Sequence, residues 1–340
     1  MKILFDSVYV HNGGGKEILD LIIQKLINKE IENNFHFLLD KRYVIPESAN
    51  NKLELTLISS SERNRKRFYL ENRGFRSYFC FSNVPPPISI NNTCTIYFHN
   101  DLLINPFSTN LSLKEILKNL IKKYYIKVKS KRNYNWCVQT NIMRMKLSNA
   151  YRIDEEKINI YPIFDDNIIQ EKKTNDSFLY VGNYSKHKNH NRLIKAFIDS
   201  ANSTNKTLIL KLTLTDKDYK KSIYKAIKLP KNLIIKNLGI LNKEMLRDAY
   251  LNSKFLIFPS LNESFGLPLI EATNMGCYTA ASSLDYVDEI ISPSIKFDPF
   301  SIKDISKAIL ECVNNRSLKL SKPIIENKID TFVKYLTSNV

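Results

Sequence analysis

Two carboxylates, Glu263 and Glu271, bracket the run Ser264-Phe265-Gly266-Leu267-Pro268-Leu269-Ile270. An ionised carboxylate only accepts hydrogen bonds, so Glu271 can take both hydroxyls of a vicinal diol such as a ribose. Glu263, on the preceding loop, then faces the other end of the ligand. Between them the amides of Phe265, Gly266 and Leu267 are expected at the positive end of a helix, where phosphate is favoured, and Gly266 lets the backbone approach a ligand closely. A second anion site is written in Gly182-Asn183-Tyr184-Ser185-Lys186-His187-Lys188-Asn189. There Lys188 can reach a diphosphate, and positive charge beside the departing oxygens lowers the barrier to breaking a glycosidic bond. The plainer alternatives are that Glu271 complements the helix dipole, that Glu263 caps the turn, and that Lys186 and Lys188 are solvated.

Such loops need strands and helices behind them. Phe255-Leu256-Ile257-Phe258 is a buried-strand run ended by Pro259, and Leu269 to Met275 reads as a helix with Pro268 in its first turn, Glu271 also in that turn, and Gly276 past its end. Further strands are expected at Ile3–Asp6, Phe35–Leu39, Leu53–Ile58, Thr95–Phe98, Cys137–Gln139 and Asn159–Tyr161, then at Phe178–Val181, Leu208–Leu212 and Leu233–Lys236. Helices are expected at Arg192–Asp199, Asp218–Lys228 and Lys243–Tyr250. Apolar runs alternating with helical periodicity predict an α/β chain of two doubly wound parallel sheets, with ligands at the carboxyl edges of the strands.

The first half adds two candidates at such an edge. Asn12-Gly13-Gly14-Gly15-Lys16 follows the opening strand, and its glycines, Gly14 and Gly15 above all, remove side chains from the edge; the alternative is a plain tight turn. Its spacing is neither that of a P-loop nor that of a dinucleotide fingerprint, which weakens ATP and NAD readings. His99 ends the run Thr95-Ile96-Tyr97-Phe98 and is placed to meet a sugar hydroxyl, or else is a buried, backbone-bonded histidine. Pro85-Pro86-Pro87 marks an irregular loop of structural role.

Phe258-Pro259-Ser260, the segment Glu263 to Glu271, Ala272, Gly276 and Asp288-Glu289-Ile290 together resemble the retaining glycosyltransferases of family 4. The resemblance implies the GT-B fold, two Rossmann-like domains facing each other across a cleft. It also implies transfer of a hexose from a nucleotide-sugar to a hydroxyl of a glycan acceptor, with retention by same-face attack. By it Glu271 binds ribose, Glu263 lies against the donor sugar, and Phe265, Gly266 and Leu267 contact sugar and phosphate. Gly182 and Lys188-Asn189 match the family's second loop, whereas the family's extra arginine is replaced by Asn183 or His187, leaving Lys186 as the candidate second cation, or His187 when protonated. Gly14, Gly15 and His99 match positions near the donor sugar. Catalytic roles thus fall on Glu263, Lys188 and His99. No cofactor and no metal are expected, the nucleotide-sugar being a co-substrate.

The 340 residues allow two domains, set at 1–165 on the acceptor side and 166–322 for the nucleotide-sugar, joined by the polar stretch from Asp165 to Asp176. Residues 323–340 are expected as a helix crossing back to the first domain. No signal peptide or membrane span is apparent, and five scattered cysteines suit a reducing cytoplasm. The net charge of +17, carried by both halves, favours anionic partners. A basic amphipathic segment around 111–132 suits either an anionic inner-membrane surface holding a lipid-linked acceptor or a core helix with a solvated lysine face. The cluster Arg63, Arg65, Lys66, Arg67, Arg73 and Arg76 adds to the membrane reading. Richness in lysine, asparagine and isoleucine is associated with AT-rich bacterial DNA, and by that association alone bacterial surface-polysaccharide assembly is the expected setting. The competing readings are a GT-B-like protein that binds without catalysis and a nucleic-acid-binding protein. The latter is disfavoured, because the two-glutamate motif would then have no use.

Overall fold

A computed structural model describes residues 1–106, 113–169, 173, 176–223 and 229–338. Its described residues form two compact units, one running to Asp165 and resuming at Glu326, the other spanning Asp166–Ile325. Each is built on its own parallel sheet.

In the first unit the strands are β1 (Ile3–Asp6), β2 (Phe35–Asp40), β3 (Leu55–Ile58), β4 (Ser77–Cys80), β5 (Cys94–Tyr97), β6 (Asn135–Val138) and β7 (Ile158–Ile160), in the spatial order β3-β2-β1-β4-β5-β6-β7. The order reverses between β1 and β4. Phe5, Phe37 and Phe79 stand on adjacent strands, with Phe81 just past β4, and Phe5 and Phe79 meet edge to face with ring centroids 4.8 Å apart. Onto this sheet α1 (Gly13–Asn28) lays Ile18, Leu19, Ile22, Ile23 and Leu26, one face of a helical period. The remaining helices of the unit are α2 (Glu62–Glu71), α3 (Leu113–Lys129) and α4 (Asn141–Tyr151).

The second unit carries β8 (Phe178–Tyr180), β9 (Leu208–Leu212), β10 (Leu233–Asn237), β11 (Phe255–Phe258), β12 (Tyr278–Ser282) and β14 (Ile295–Phe297), in the order β10-β9-β8-β11-β12-β14. A small pair of β13 (Ile291–Ser292) and β15 (Lys322–Pro323) lies apart from it. Its helices are α5 (His190–Asn202), α6 (Asp216–Ile223), α7 (Lys243–Leu251), α8 (Leu267–Asn274), α9 (Asp285–Ile290) and α10 (Ile302–Asn314). Helices α5 and α10 meet at two small residues, Ser200 and Ser306, whose hydroxyls lie 2.8 Å apart. Here the order reverses between β8 and β11, so the loops after those strands open at the switch point where α/β sheets bind ligands.

The last helix, α11 (Ile329–Ser338), belongs to the first unit: Phe332 packs its ring against Phe79, Tyr97 and Tyr161 at 5.4–5.5 Å, and Lys25 and Lys29 pair with Asp330. The second unit ends later than residue 322, because Lys322–Pro323 pairs with Ile291–Ser292 and holds the chain there to Ile325. The stretch taken as a linker is anchored to the second unit, with the Ile169 amide bonded to the Asn274 carbonyl and Lys173 Nζ to those of Tyr250 and Leu251. The helix expected over Asp218–Lys228 starts earlier, at Asp216, and residues 224–228 lie outside the described residues. All five cysteines are buried and free.

Two expectations about charge are corrected. Arg65 is not part of an exposed basic cluster: it is wholly buried, its Nε 2.7 Å from Asp6 Oδ2 and its terminal nitrogens on the carbonyls of Pro85 and Val84. Nor is α3 a core helix with a solvated lysine face, since Ile126 is its only buried residue and most of its apolar side chains are exposed. Leu111 lies outside the described residues.

Candidate functional site

In the second unit the chain leaves β8 at Tyr180, makes a single tight turn over Lys186–Lys188, and enters α5 through Asn189 in the left-handed conformation at φ 61°. Asparagine is among the few residues that tolerate this. The buried Asn189 amide donates to the carbonyls of Pro259 (3.1 Å) and Pro299 (2.7 Å), clamping three loops of the carboxyl edge together. The Leu261 amide donates to the His187 carbonyl at 2.7 Å, joining the same two loops a second time. Asn189 was quoted in the sequence motif without a role, and its preference for the left-handed region was the signal for one.

This stitching places Lys188 Nζ 2.5 Å from Glu263 Oε1, both side chains mostly shielded from water. The lysine stem runs past Gly182 and its ammonium stands 5.5 Å from the Phe258 ring centre. Two buried phenols frame the pair: Tyr180 donates to the Lys188 carbonyl and Tyr286 to that of Ser260. Burial first, then the nearby Glu263 charge, pushes both phenols well above the ordinary tyrosine range. Lys188, Glu263 and Gly182 are therefore brought together, whereas Asn183 and Lys186 are exposed positions on the same loop.

Gly266 sits at φ 84°, a conformation that strains other residues, and its αL turn starts α8 at Leu267 with Pro268 in the first turn. Phe265, immediately before, buries its ring. Because the helix starts at Leu267, Glu271 is past the first turn, which contains no acid; the expectation that it lies there is corrected, and with it the dipole-complementing alternative. Instead Glu271 Oε2 accepts from the buried Tyr250 hydroxyl at 2.7 Å. Burial, then the Glu271 charge, holds that phenol well above its usual range. Tyr250, at the end of α7, orients the carboxylate and had no distinguishing signal in the sequence.

In the first unit Gly14 and Gly15 occupy the first turn of α1. A Cβ on Gly15 would stand 3.1 Å from His99 Nε2, so glycine is what allows helix and imidazole to meet. Asn83, left-handed at φ 66°, accepts from the His99 backbone amide (2.6 Å) and places its own amide nitrogen 3.1 Å from Nε2. With Nε2 accepting, the neutral ring carries its proton on Nδ1, which is buried without a protein partner. Burial lowers the imidazole pKa to about 4. His99 is thus neutral near pH 7, held by Asn83 at both its backbone amide and Nε2, with Nδ1 left to donate.

Residues 163–331 match the model of the family described as glycosyl transferases group 1. This half of the chain belongs to that family. The O-antigen chain mannosyltransferase RfbU of Salmonella typhimurium is 24% identical over 225 residues, which are 64% of this chain and 60% of that protein. The serotype-specific mannosyltransferase WbdA of Escherichia coli is 31% identical over 80 residues, 23% of this chain and only 10% of its own length. The Anabaena Alr3699/HepE structure in complex with UDP-glucose superposes with a TM-score of 0.69 at 13% identity, covering 100% of this chain and 97% of that one. WaaG, a glycosyltransferase involved in lipopolysaccharide biosynthesis, does so with a TM-score of 0.65 at 13% identity, covering 93% and 91%. The structural likeness establishes the GT-B fold class.

Among the described residues, no three His, Cys, Asp or Glu side chains gather as a metal site. One buried histidine has no part in the loops' hydrogen bonding. His190, at the start of α5, has both ring nitrogens buried and unpartnered, and burial, with the Lys188 and His187 charges, lowers its pKa to about 3. Its folded pKa lies below the unfolded value of about 6.5, so its stability contribution is complete above that pH and is lost as pH falls toward 3. His190→Leu is expected to leave the melting temperature at pH 7 unchanged or higher, and to flatten its fall between pH 6.5 and 4, measured by thermal denaturation. An unaltered acid slope would show that other groups carry it.

Proposed function

We propose that this chain moves a hexose from a nucleotide-sugar to a hydroxyl of a glycan acceptor, with retention, in bacterial surface-polysaccharide assembly such as O-antigen or capsule. The observation that carries this reading is the Lys188–Glu263 pair at the sheet's switch point, on loops whose next helix bears Glu271. An ammonium has three donors, so Lys188 can keep Glu263 and still hold a diphosphate oxygen. Glu271, held by Tyr250, takes the ribose diol. Phe265, Gly266 and Leu267 offer backbone to phosphate and sugar, with Gly182, Asn183 and Lys186 on the facing loop. On the first unit, His99 Nδ1 and the bare backbone of Gly14 and Gly15 are the groups proposed for sugar contact.

In the transfer the bond from the anomeric carbon to the diphosphate oxygen breaks, its electron pair leaving with the diphosphate. The acceptor oxygen bonds to the same face of that carbon and its proton passes to the departing phosphate. Lys188, Lys186 and the amides at the start of α8 stabilise the growing negative charge, without a metal. The name of one relative, an O-antigen chain mannosyltransferase, supports a polysaccharide setting, and a lipid-linked acceptor at the cytoplasmic face of the membrane fits it.

A panel of UDP-, GDP-, dTDP- and CMP-sugars in a thermal-shift assay tests the reading. One nucleotide class should raise the melting temperature, since ligand at about 100 times its Kd adds about 2.7 kcal/mol. Glu271→Gln, which still accepts from Tyr250, should weaken that donor about 10–100-fold, the value of hydrogen bonds to a charged group. If no class shifts the melting curve, or Glu271→Gln binds normally, the assignment of these loops fails.

A further inference from the structure

We propose that α3 docks this chain on an anionic lipid surface by inserting its apolar face, the lysines only flanking the insertion. The purpose of such docking rests on the lipid-linked acceptor proposed above, but its geometry does not. Leu113, Leu117, Leu120, Ile121, Tyr124 and Val128 are between 37% and 86% exposed. Their spacing of i, i+4, i+7, i+8, i+11 and i+15 is that of a single helical stripe, about 22 Å long. The opposite face holds the helix to its unit. Ile126 is its buried residue, Lys123 Nζ donates to the Ile104 carbonyl, Lys129 Nζ to that of Pro87, and the Tyr125 hydroxyl to Glu62. The tethers use polar tips while the apolar side chains face water, the reverse of an ordinary surface helix.

A continuous apolar stripe of this length marks an interaction surface rather than scattered exposed residues. Charge names the occupant. By helical angle Lys114 and Lys118 border one side of the stripe and Lys127 the other, all three exposed, and Glu115 is the helix's one acid. A second copy of the chain would bring two lysine borders together, a repulsive arrangement, whereas anionic headgroups would meet them while the stripe enters the acyl boundary. No described helix is long and apolar enough to cross a membrane, so α3 would lie in the interface plane.

The test is co-sedimentation of the full chain with vesicles of phosphatidylcholine alone or with one-third phosphatidylglycerol. Binding should be at least about tenfold tighter to the anionic vesicles. Leu117→Asp combined with Ile121→Asp should lower it at least about tenfold, with melting temperature and nucleotide-sugar binding unchanged. Lys114→Glu with Lys118→Glu should remove the anionic preference. Tyr124→Trp should show a vesicle-dependent blue shift absent from the unmodified chain, whose single tryptophan, Trp136, is buried. Failure to sediment, undiminished binding by the aspartate variant, or no blue shift would overturn the proposal. So would a soluble dimer that the aspartate variant dissociates, which would assign the face to a second copy.

Discussion

Lys188→Met is expected to reduce the rate of sugar transfer about 10²–10³-fold, the usual loss when one preorganised electrostatic contact to developing charge is removed. Methionine keeps an apolar stem along Gly182 and the Phe258 ring, so the packing of the loop is largely retained. It removes the ammonium 2.5 Å from Glu263, leaving a carboxylate that is 13% exposed beside two buried phenols. That stranded charge costs stability of its own, about 1–3 kcal/mol. Rate and stability must therefore be measured separately, the first as nucleoside diphosphate released, the second by thermal denaturation.

The double variant Lys188→Met with Glu263→Gln separates the two roles. Neutralising the partner should restore most of the lost stability, yet transfer should stay as slow as in the single variant or slower. A purely structural ion pair would behave oppositely, the rate recovering with the fold. Lys188→Arg keeps the charge but replaces a compact point donor with a planar fork, so an intermediate rate is expected. A fall in rate of less than about tenfold in Lys188→Met would remove Lys188 from the catalytic centre.

How much of this was legible in the sequence follows from where the signal is local. Phe255–Phe258 is an apolar run ended by Pro259 and Leu208–Leu212 a largely apolar one between two threonines, and the structure has them at those limits. The glycine, proline and glutamates of the Glu263–Glu271 segment carry backbone and charge requirements that a short window displays. Strands β4, β12 and β14 were not expected, for a physical reason. Ser77–Cys80 and Ile295–Phe297 interrupt short apolar stretches with a serine and a lysine, and Tyr278–Ser282 has alanine and serine where strands usually have branched residues. Their place is set by pairing with long-range neighbours, which a linear reading does not contain. The Glu271–Tyr250 bond and the Asn83–His99 contacts are likewise long-range: either side chain alone suits solvent. The start of α8 at Leu267 rather than Leu269 depends on Gly266 adopting φ 84°, and two residues decide whether Glu271 feels the helix dipole.

Arg65 is the clearest case of a residue whose type misleads and whose burial decides. In sequence it stands among Arg63, Lys66 and Arg67, all exposed, and only its place on the inner face of α2 distinguishes it. Folded, it is fully buried and ties Asp6, at the end of β1, to the carbonyls of Val84 and Pro85. The Asp6 carboxylate, equally buried, also accepts from the Tyr69 hydroxyl at 2.7 Å and the Val8 amide at 3.2 Å. The turn after β1 and the Pro85-Pro86-Pro87 loop are therefore held at the carboxyl edge by one guanidinium. Arg65→Met strands the carboxylate and frees both carbonyls, so a loss of about 3–5 kcal/mol is expected, a large share of the 5–15 kcal/mol that holds a typical protein folded. At roughly 2–4 °C per kcal/mol for a unit of this size, calorimetry should show a melting transition about 6–20 °C lower. Asp6→Asn combined with Arg65→Met removes the unpaired charge and should recover part of the loss. Arg63→Met and Arg67→Met, at exposed positions, should stay within about 0.5 kcal/mol of the parent chain. If Arg65→Met were equally mild, Arg65 would be a surface residue of the cluster and its buried pairing with Asp6 would be wrong.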